Sequence, residues 1–455
     1  MSGAAAHGAA GRSRDTAPER VDPRPVLAVN AGSSSLKFGL YPATGPACFA
    51  GEASGLEPGG RPRWRLAGGP EQALDIEPQR TVGALPALGG EGPAVAAAAQ
   101  AAGASEGAGA AGAFDAALQR LQATVVDHAP QGLLAVAHRI VHGGAQGDGP
   151  QVLDDAALAR LAALSPLAPL HQPHNLDGVR ALRAAFPDVP QIGCFDTAFH
   201  AGQPEVERLL PLPPARTEAA GLRRYGFHGL SYAYLAGELS ARSARWAGGR
   251  ALLAHLGNGA SLCAVHDGRS VASTMGFSAL DGLMMGTRSG SLDAGVLLYL
   301  LAHGDDAASL ERLLYRESGL KGVSGLSADM RALHAAAAQG HAGAQRALAL
   351  FARRLLREAG ALTAVLGGLD LLAFTGGIGE HDAVVRAGLV EGLAFLGLRL
   401  DAQANRAATG DAVCRIDAAD SRTEIWVVPT DEGRVAARQA RALCAASGPE
   451  RPERS

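Results

Sequence analysis

The turn at 30–37 combines several side chains that bind phosphate. Ser33, Ser34 and Ser35 offer hydroxyl groups, Asn30 offers an amide, and Lys37 brings a positive charge. Two of the 41 Lys and Arg residues are lysines, and a compact ammonium suits a crowded phosphate. The alternative is a Ser-rich surface turn with a solvated lysine. Neither lysine stands in a Gly-Lys-Ser/Thr sequence, so an ordinary P-loop is not indicated.

Four further residues that could bind a ligand or take part in catalysis stand at the ends of predicted elements or in a loop. Arg139 follows an apolar strand, and Asp196 follows the next one. His228 precedes a helix, where the helix dipole favours anions and lowers the pKa of an imidazole. Arg288 lies among Gly and Ser residues in a loop. Ligands of α/β proteins bind at the carboxyl ends of strands, so this placement favours a ligand site. The structural alternatives are ion pairs for the arginines and a helix cap for the histidine.

Two later turns are rich in glycine. The turn at 255–259 lies between two apolar strands and repeats the strand, turn and strand order of 26–41. Four of ten aligned positions are identical between these segments, which indicates a duplicated architecture. The turn at 375–382 opens a helix, a favourable place for a phosphate or a ribose. The 255–259 turn lacks the Gly-x-Gly-x-x-Gly pattern of a Rossmann fold.

Strands and helices alternate along the chain and must position these residues. Apolar runs predict strands, and apolar residues at helical spacing predict helices. The predicted strands are 26–29, 36–41, 133–137, 189–195, 371–374 and 425–428, with a strand, turn and strand at 252–265 and an antiparallel extension within 45–88. The predicted helices are 114–128, 154–164, 175–186, 230–245, 293–302, 344–366 and 435–444.

Composition limits the function classes. A length of 455 residues with 47% hydrophobic residues allows two globular domains. The net charge of −3 gives no general attraction to nucleic acid or membranes. Five scattered cysteines and no apolar run of membrane-spanning length predict a soluble, cytoplasmic protein. Residues 1–24 are expected to form a disordered tail, 89–113 a flexible or partly helical Ala/Gly-rich insertion, and 447–455 a polar end.

Two histidine pairs have spacings that could suit a metal. They are His138 with His142 and His171 with His174. The chain has no His-Glu-x-x-His sequence, and loop histidines more often form hydrogen bonds. We therefore favour hydrogen-bonding roles over a zinc site.

In this order the motifs resemble those of the acetate kinase family of acyl-phosphate-forming kinases. The matching segments span nearly all of 26–445 and are 30–37, 138–144, 170–171, 195–200, 225–229, 255–259, 286–293, 327–331, 376–380 and 430–432. The resemblance implies a duplicated RNase H-like, actin-like ATPase fold of class α/β with the active site in a cleft between two domains. Residues 26–196 with 433–446 would form the first domain and 197–432 the second.

The resemblance also implies a reaction. ATP and a short-chain carboxylate, foremost acetate, would form ADP and an acyl phosphate reversibly by in-line transfer. Arg139 would bind the carboxylate, while Arg288 and His228 would complete a cluster of three cations around the phosphoryl group. Asp196 is an acid or base in such families. A carboxylate acceptor is already ionised at neutral pH, so we prefer a role for Asp196 in orienting Arg139 or Mg²⁺.

Further contacts follow from the same resemblance. Asn30 and Glu432 would hold Mg²⁺ through water, with Mn²⁺ as the alternative ion. The methyl pocket would consist of Val141, Leu170, Phe227 and Ala279. The nucleotide would contact Lys37, His255, Leu256, Gly257, Asn258, Gly259, Asp329, Met330, Arg331, Gly377, Ile378, Gly379, Glu380 and His381. The partner would be a small carboxylate, without nucleic acid or membrane, and the assembly a homodimer.

Three positions depart from the family pattern. Tyr232 stands where a second His is usual, and Gly433 replaces the second Glu of Thr-x-Glu-Glu. Ala279 stands where a Pro usually lines the methyl pocket. A smaller side chain leaves room for another methylene, a difference worth roughly 1–3 kcal/mol in such pockets. Propionate is therefore an alternative substrate.

Two other functions of the same superfold compete with this hypothesis. A sugar or polyol kinase would use a catalytic Asp over a hydroxyl group and would not need Arg139 and Arg288 together. A non-enzymatic nucleotide-binding protein would use the cleft as a conformational switch. The set of Arg139, His228 and Arg288 argues against both.

Overall fold

The computed structural model describes residues 22–74, 104–169, 171–218 and 220–446, without the side chains of 104–111. Residues 1–21 of the predicted tail (1–24), residues 89–103 of the predicted insertion (89–113) and the polar end at 447–455 lie outside the described residues.

Strands and helices alternate as the sequence predicts. The strands are β1 Val26–Ala31, β2 Ser35–Tyr41, β3 Phe49–Ser54, β4 Arg63–Leu66, β5 Gln72–Ala73, β6 Ala135–Ile140, β7 Gln151–Val152, β8 Gln191–Phe195, β9 Arg250–Leu256, β10 Ala260–His266, β11 Arg269–Ser273, β12 Leu371–Thr375, β13 Cys414–Arg415 and β14 Glu424–Val427. The helices are α1 Ala104–His128, α2 Asp155–Ala162, α3 Gln172–Ala185, α4 Glu205–Arg208, α5 Pro214–Thr217, α6 Gly229–Arg242, α7 Ala294–Ala302, α8 Ala307–Arg316, α9 Gly319–Ser324, α10 Met330–Ala338, α11 Ala342–Leu366, α12 Gly376–His381, α13 Ala383–Gly392, α14 Ala402–Ala407 and α15 Glu432–Ala446.

The first sheet has the order β5-β4-β3-β2-β1-β6-β8-β7 within the described residues. β1 and β2 form the predicted hairpin, and β3 to β5 extend it in antiparallel order. β6 and β8 continue the sheet from β1 in parallel order. The apolar start of β1 is buried on both faces: Leu27 and Val29 pack in the cluster that contains α1, whereas Val26 and Ala28 pack in the cluster that contains α15. A central strand covered on both faces must be continuously apolar.

The second sheet repeats this design. Its order over the described residues is β11-β10-β9-β12-β14-β13. β9 forms antiparallel pairs with β10, as β1 does with β2, and a parallel pair with β12, as β1 does with β6. Six strands of each sheet therefore share one order and one set of directions. This repetition confirms the predicted duplicated architecture.

Helix α6 lies where the two halves meet. It contacts α15 and β8 of the first half, and β9 and β12 of the second. This packing brings the carboxyl ends of β6 and β8 next to the β9–β10 turn. No described helix has both the length and the apolar character needed to cross a membrane.

Candidate active site

A cleft of about 590 Å³ lies between the two halves. Its walls come from the β1–β2 hairpin, the ends of β6 and β8, the start of α6, the β9–β10 turn, and the starts of α12 and α15. The predicted site residues that line it are Asn30, Lys37, Arg139, Val141, Asp196, Phe227, His228, His255, Asn258, Gly259, Ala279, Arg288, Gly377, Glu380 and Glu432. The structure thus brings together fifteen residues spread over more than 400 positions of the chain.

Arg139 and Asp196 form a two-bond ion pair at the floor of the cleft. Arg139 lies within β6, two residues beyond the predicted strand end at 137, because β6 continues in register with β8 to Ile140. Its Nε and Nη2 donate to the two carboxylate oxygens of Asp196 at 3.0 and 2.7 Å. Glu432 Oε2 lies 3.4 Å from the same Nε. Within the described residues, Nη1 of Arg139 has no hydrogen-bond partner and remains available to a ligand.

Burial and charge act in opposite directions on this pair. Burial favours the neutral form of Arg139, but the carboxylates of Asp196 and Glu432 outweigh it and raise the pKa of the guanidinium. Burial raises the pKa of Asp196, and the Arg139 guanidinium opposes that rise. With both oxygens bound to Arg139, Asp196 is placed to hold that side chain in a fixed orientation.

His228 occupies an unusual backbone position at the N-terminus of α6. Its φ of 59° is left-handed, and the following N–H, from Gly229, donates to the carbonyl of Asp196 at 2.8 Å. Its Nδ1 is 2.8 Å from Ser261 Oγ, and its ring stacks on that of His255 with centroids 4.1 Å apart. A strained backbone that several contacts hold in place is a feature of functional sites.

The surroundings of His228 favour its neutral form, which disfavours the expected role as a third cation. Burial lowers its pKa well below 6.5, and the positive charges of Arg139 and Arg288 lower it further. A buried imidazole between two guanidinium groups cannot easily accept a proton. Its contribution is therefore a hydrogen bond rather than a charge.

Arg288 points at the same place as His228. Its Nη1 donates to the carbonyl of Ala279 at 2.7 Å, which fixes the guanidinium. A Cβ added to Gly259 would lie 3.2 Å from His228 Nε2 and 3.3 Å from Arg288 Nη2. Burial lowers the pKa of Arg288, but guanidinium groups remain protonated in proteins. Nε2 of His228 and Nη2 of Arg288 thus converge on one point above Gly259.

The two glycine turns meet in the cleft. A Cβ on Gly257 would lie 3.8 Å from the backbone nitrogen of Gly377, so the two turns are neighbours. Glu380 braces this region: its Oε1 accepts hydrogen bonds from the backbone nitrogens of Gly376 at 2.8 Å and Thr430 at 3.1 Å. The carboxylate therefore ties the α12 turn to the start of α15.

Several predicted nucleotide contacts do not line the cleft. Leu256 and Met330 are buried side chains in β9 and α10. Asp329 caps α10 and pairs with the exposed Arg331 at 2.8 Å. His381 bonds to the carbonyl of Thr409. The other predicted contacts outside the lining are Gly257, Ile378 and Gly379, and Leu170 lies outside the described residues.

Sequence reasoning missed some lining residues. His171 lines the cleft, and its pKa falls to about 3 because of burial and the charges of Arg288 and Arg139. Its position beside Leu170 in the matching segment 170–171 was the available signal.

Tyr41 also lines the cleft and donates to Asp431 at 2.6 Å. A Cβ on Gly433 would collide with the Tyr41 hydroxyl, which accounts for a glycine in place of the usual Glu.

Known proteins share much of this sequence. The profile of the Acetokinase family matches residues 93–438. Acetate kinase of Rhodopseudomonas palustris is 52% identical over 308 residues, covering 67% of this chain and 76% of the relative. Acetate kinase of Nitrobacter hamburgensis is 41% identical over 414 residues, covering 90% and 93%.

Solved structures give the same result. The crystal structure of Porphyromonas gingivalis acetate kinase superposes with a TM-score of 0.76 at 31% identity, covering 92% of this chain and 99% of that one. A propionate kinase from Francisella tularensis superposes with a TM-score of 0.77 at 30% identity, covering 91% and 98%. These likenesses confirm the predicted actin-like ATPase fold.

Proposed function

Because the chain belongs to the acetokinase family, it is an ATP-dependent kinase of acetate, and we propose that Arg139, His228 and Arg288 carry the transfer. The reaction forms acetyl phosphate and ADP. The observation that carries this proposal is the convergence of His228 Nε2 and Arg288 Nη2 on one point above Gly259. In-line phosphoryl transfer spreads charge over three equatorial oxygens and needs donors that surround them.

Arg139 binds the acceptor carboxylate. Asp196 and Glu432 occupy its Nε and Nη2 edge, so the remaining Nη1 group is the part that faces the substrate. Asp196 orients this guanidinium and takes no proton, because acetate reaches the site already ionised. Holding the acceptor in a fixed direction supplies much of the rate, since positioning dominates catalysis of phosphoryl transfer.

His228 and Arg288 stabilise the migrating phosphoryl group. A neutral imidazole donates a hydrogen bond from Nε2 without opposing the adjacent guanidinium charges. Arg288, held by the Ala279 carbonyl, adds the positive charge. Both groups are fixed by other contacts before the substrate binds, so they need little reorganisation during the reaction.

The oxygen ligands in the cleft suit an Mg²⁺ ion that keeps most of its coordinated water molecules. The described residues contain no group of three or more His, Cys, Asp or Glu side chains arranged around one point. Asn30 offers an amide oxygen and Glu432 a carboxylate in the cleft, and Mg²⁺ prefers one or two such ligands plus waters and phosphates. We assign the ion to these two residues. When bound, it neutralises phosphate charge; Mn²⁺ is the alternative.

The nucleotide occupies the side of the cleft formed by the two glycine turns. Lys37 reaches the phosphates from the hairpin, and the 255–259 and 376–381 turns supply backbone N–H groups. We assign the adenosine part to the outer segment around Asp329 and Arg331 and to the exposed end of α12. The two sheets then form the cores of two domains, 26–196 with 433–446 and 197–432.

The acyl pocket consists of Val141, Phe227 and Ala279, with Leu170 adjacent in sequence to His171. The small side chain of Ala279 supports propionate as a second substrate, because one methylene is worth about 1–3 kcal/mol in such a pocket. The propionate kinase from Francisella tularensis has a similar fold. Acetate remains the primary substrate.

A homodimer would cover helix α7. This helix buries none of its residues, and Leu298 and Tyr299 are 68% and 61% exposed. An apolar helix left in water marks an interaction surface. Sedimentation of the wild type and of a Leu298→Asp variant tests this: a dimer that the variant converts to a monomer supports it, and a wild-type monomer refutes it.

A hydroxamate assay tests the function itself. Acetyl phosphate reacts with hydroxylamine to form acetohydroxamate, whereas a sugar phosphate does not. Both oxygens of Asp196 are bound to Arg139, which disfavours a catalytic base over a sugar hydroxyl. We expect ATP- and acetate-dependent hydroxamate. ATP consumption with glycerol or glucose and none with acetate would support a sugar or polyol kinase instead.

A further inference from the structure

A chain of hydroxyl groups lies behind His228. Tyr232, one turn along α6, is fully buried, and its hydroxyl is 2.5 Å from Ser261 Oγ. Ser261, on β10, is in turn 2.8 Å from Nδ1 of His228. The chain therefore reaches the imidazole at Nδ1, while Nε2 faces Arg288 and the cleft.

Counting donors and acceptors gives the direction of each hydrogen bond. The phenol of Tyr232 is fully buried, and its one proton needs an acceptor. The phenol must donate its own proton, and Ser261 Oγ is its acceptor within the described residues. Ser261 then directs its proton to Nδ1 of His228. The opposite order would leave the buried phenol proton without an acceptor, which is costly.

We infer that Tyr232 is a positioning residue: acting through Ser261, it holds His228 in the neutral form that carries its proton on Nε2. That N–H is then directed at the point shared with Arg288 Nη2. In the other tautomer, Nε2 would present a lone pair to the phosphoryl oxygens, and the two would repel each other. The inference rests on the proposed role of His228 in the transfer.

The identity of residue 232 matters for this arrangement. A histidine, usual in this family at this position, can offer Ser261 either a donor or an acceptor, depending on its tautomer. A phenol always carries a proton to donate, and Ser261 Oγ is its one acceptor within the described residues. Tyr232 therefore fixes the proton order in one direction, and its ring packs in the core formed by Leu235, Leu239 and β9.

Removal of the phenol hydroxyl is the direct test. Tyr232→Phe keeps the ring and lets Ser261 rotate, so we expect kcat to fall about 3- to 10-fold with the KM for ATP unchanged. Tyr234→Phe is the matched control, because Tyr234 lies on the same helix, is half-buried and has no hydroxyl hydrogen bond within the described residues. In a Ser261→Ala background, Tyr232→Phe should cause no further loss.

Nitrogen NMR of the histidine-labelled full-length protein gives a readout that a merely structural role would not change. Protonated and bare ring nitrogens resonate in separate ranges, and a His228→Gln sample assigns the signal. We expect a bare Nδ1 and a protonated Nε2 in the wild type, and a mixture in Tyr232→Phe.

Three results would overturn the inference: a wild-type His228 protonated on Nδ1, an unchanged spectrum in Tyr232→Phe, or additive losses in the double variant. These spectra do not depend on turnover. Full activity of His228→Gln would instead contradict the proposed function, so the two failures are distinguishable.

Discussion

Nε2 of His228 and Nη2 of Arg288 lie 3.2 and 3.3 Å from one point, the position that a Cβ atom on Gly259 would occupy. The two residues come from the start of α6 and from the 286–293 loop, so they are far apart in the sequence. A glycine at 259 leaves that point open. The convergence is the geometric basis of the proposed phosphoryl site.

A methyl group at this point should block the site. The methyl group would occupy the space of the phosphoryl group without pressing on a packed core, so we expect Gly259→Ala to lower kcat about 5- to 150-fold with little change in thermal stability. Gly237→Ala is the control, because a Cβ there meets nothing within 4 Å. Steady-state kinetics of both variants test this prediction. An unchanged kcat in Gly259→Ala would contradict the proposal that the phosphoryl group lies at this point.

The pH profile tests the charge state of His228. Burial and the charges of Arg139 and Arg288 hold its pKa well below 6.5, so the imidazole is already neutral at pH 6 and raising the pH removes no proton from it. We expect kcat at saturating acetate and ATP to show no loss from this group between pH 6 and 8. A required imidazolium would instead lower kcat about tenfold per pH unit above its pKa, and that result would contradict a neutral donor.

Asp196 should affect acetate binding more than the chemical step. Asp196→Asn removes one acceptor from the Arg139 guanidinium, and hydrogen bonds to charged groups are worth about 1.5–3 kcal/mol. We expect the KM for acetate to rise about 10- to 100-fold, with a smaller fall in kcat. Asp177→Asn breaks an exposed pair with Arg180 and should change neither constant. A large loss of kcat at unchanged KM would indicate a role in proton transfer.

Ala279 should set the acyl chain length. We expect the wild type to use propionate with a kcat/KM within about tenfold of that for acetate, and to reject butyrate more strongly. Ala279→Val fills the space of the extra methylene but keeps the carbonyl that binds Arg288, so it should lower the propionate-to-acetate ratio. Strict acetate preference in the wild type, or an unchanged ratio in the variant, would refute the enlarged pocket.

Local sequence patterns predicted the elements that carry the site. The apolar run before Asn30 and the polar turn after it specified the hairpin, and the four identities with 253–262 indicated the duplication. Arg139 and Asp196 were placed at neighbouring strand ends because parallel strands expose their carboxyl ends together. These features depend on periodicity and turn chemistry, which are properties of short segments.

Features that depend on distant contacts were not predictable in this way. The neutral state of His228 arises from burial between β10, His255 and two arginines, none of which is adjacent in sequence. The brace formed by Glu380 requires α12 and the start of α15 to meet. The glycine at 433 is explained by the Tyr41 hydroxyl, which lies where a Cβ atom of residue 433 would have to be.

The central claim is that two guanidinium groups, from opposite halves of the chain, act on one phosphoryl transfer. The most direct measurement is acetohydroxamate formation by the Arg139→Ala/Arg288→Ala double variant, with folding checked by circular dichroism. Arg180→Ala/Arg357→Ala, which removes two exposed arginines outside the cleft lining, provides a comparison for the loss of charge. We predict that the double variant folds but loses at least about 1,000-fold in kcat/KM for acetate. Turnover at the wild-type rate by this folded variant would contradict the account.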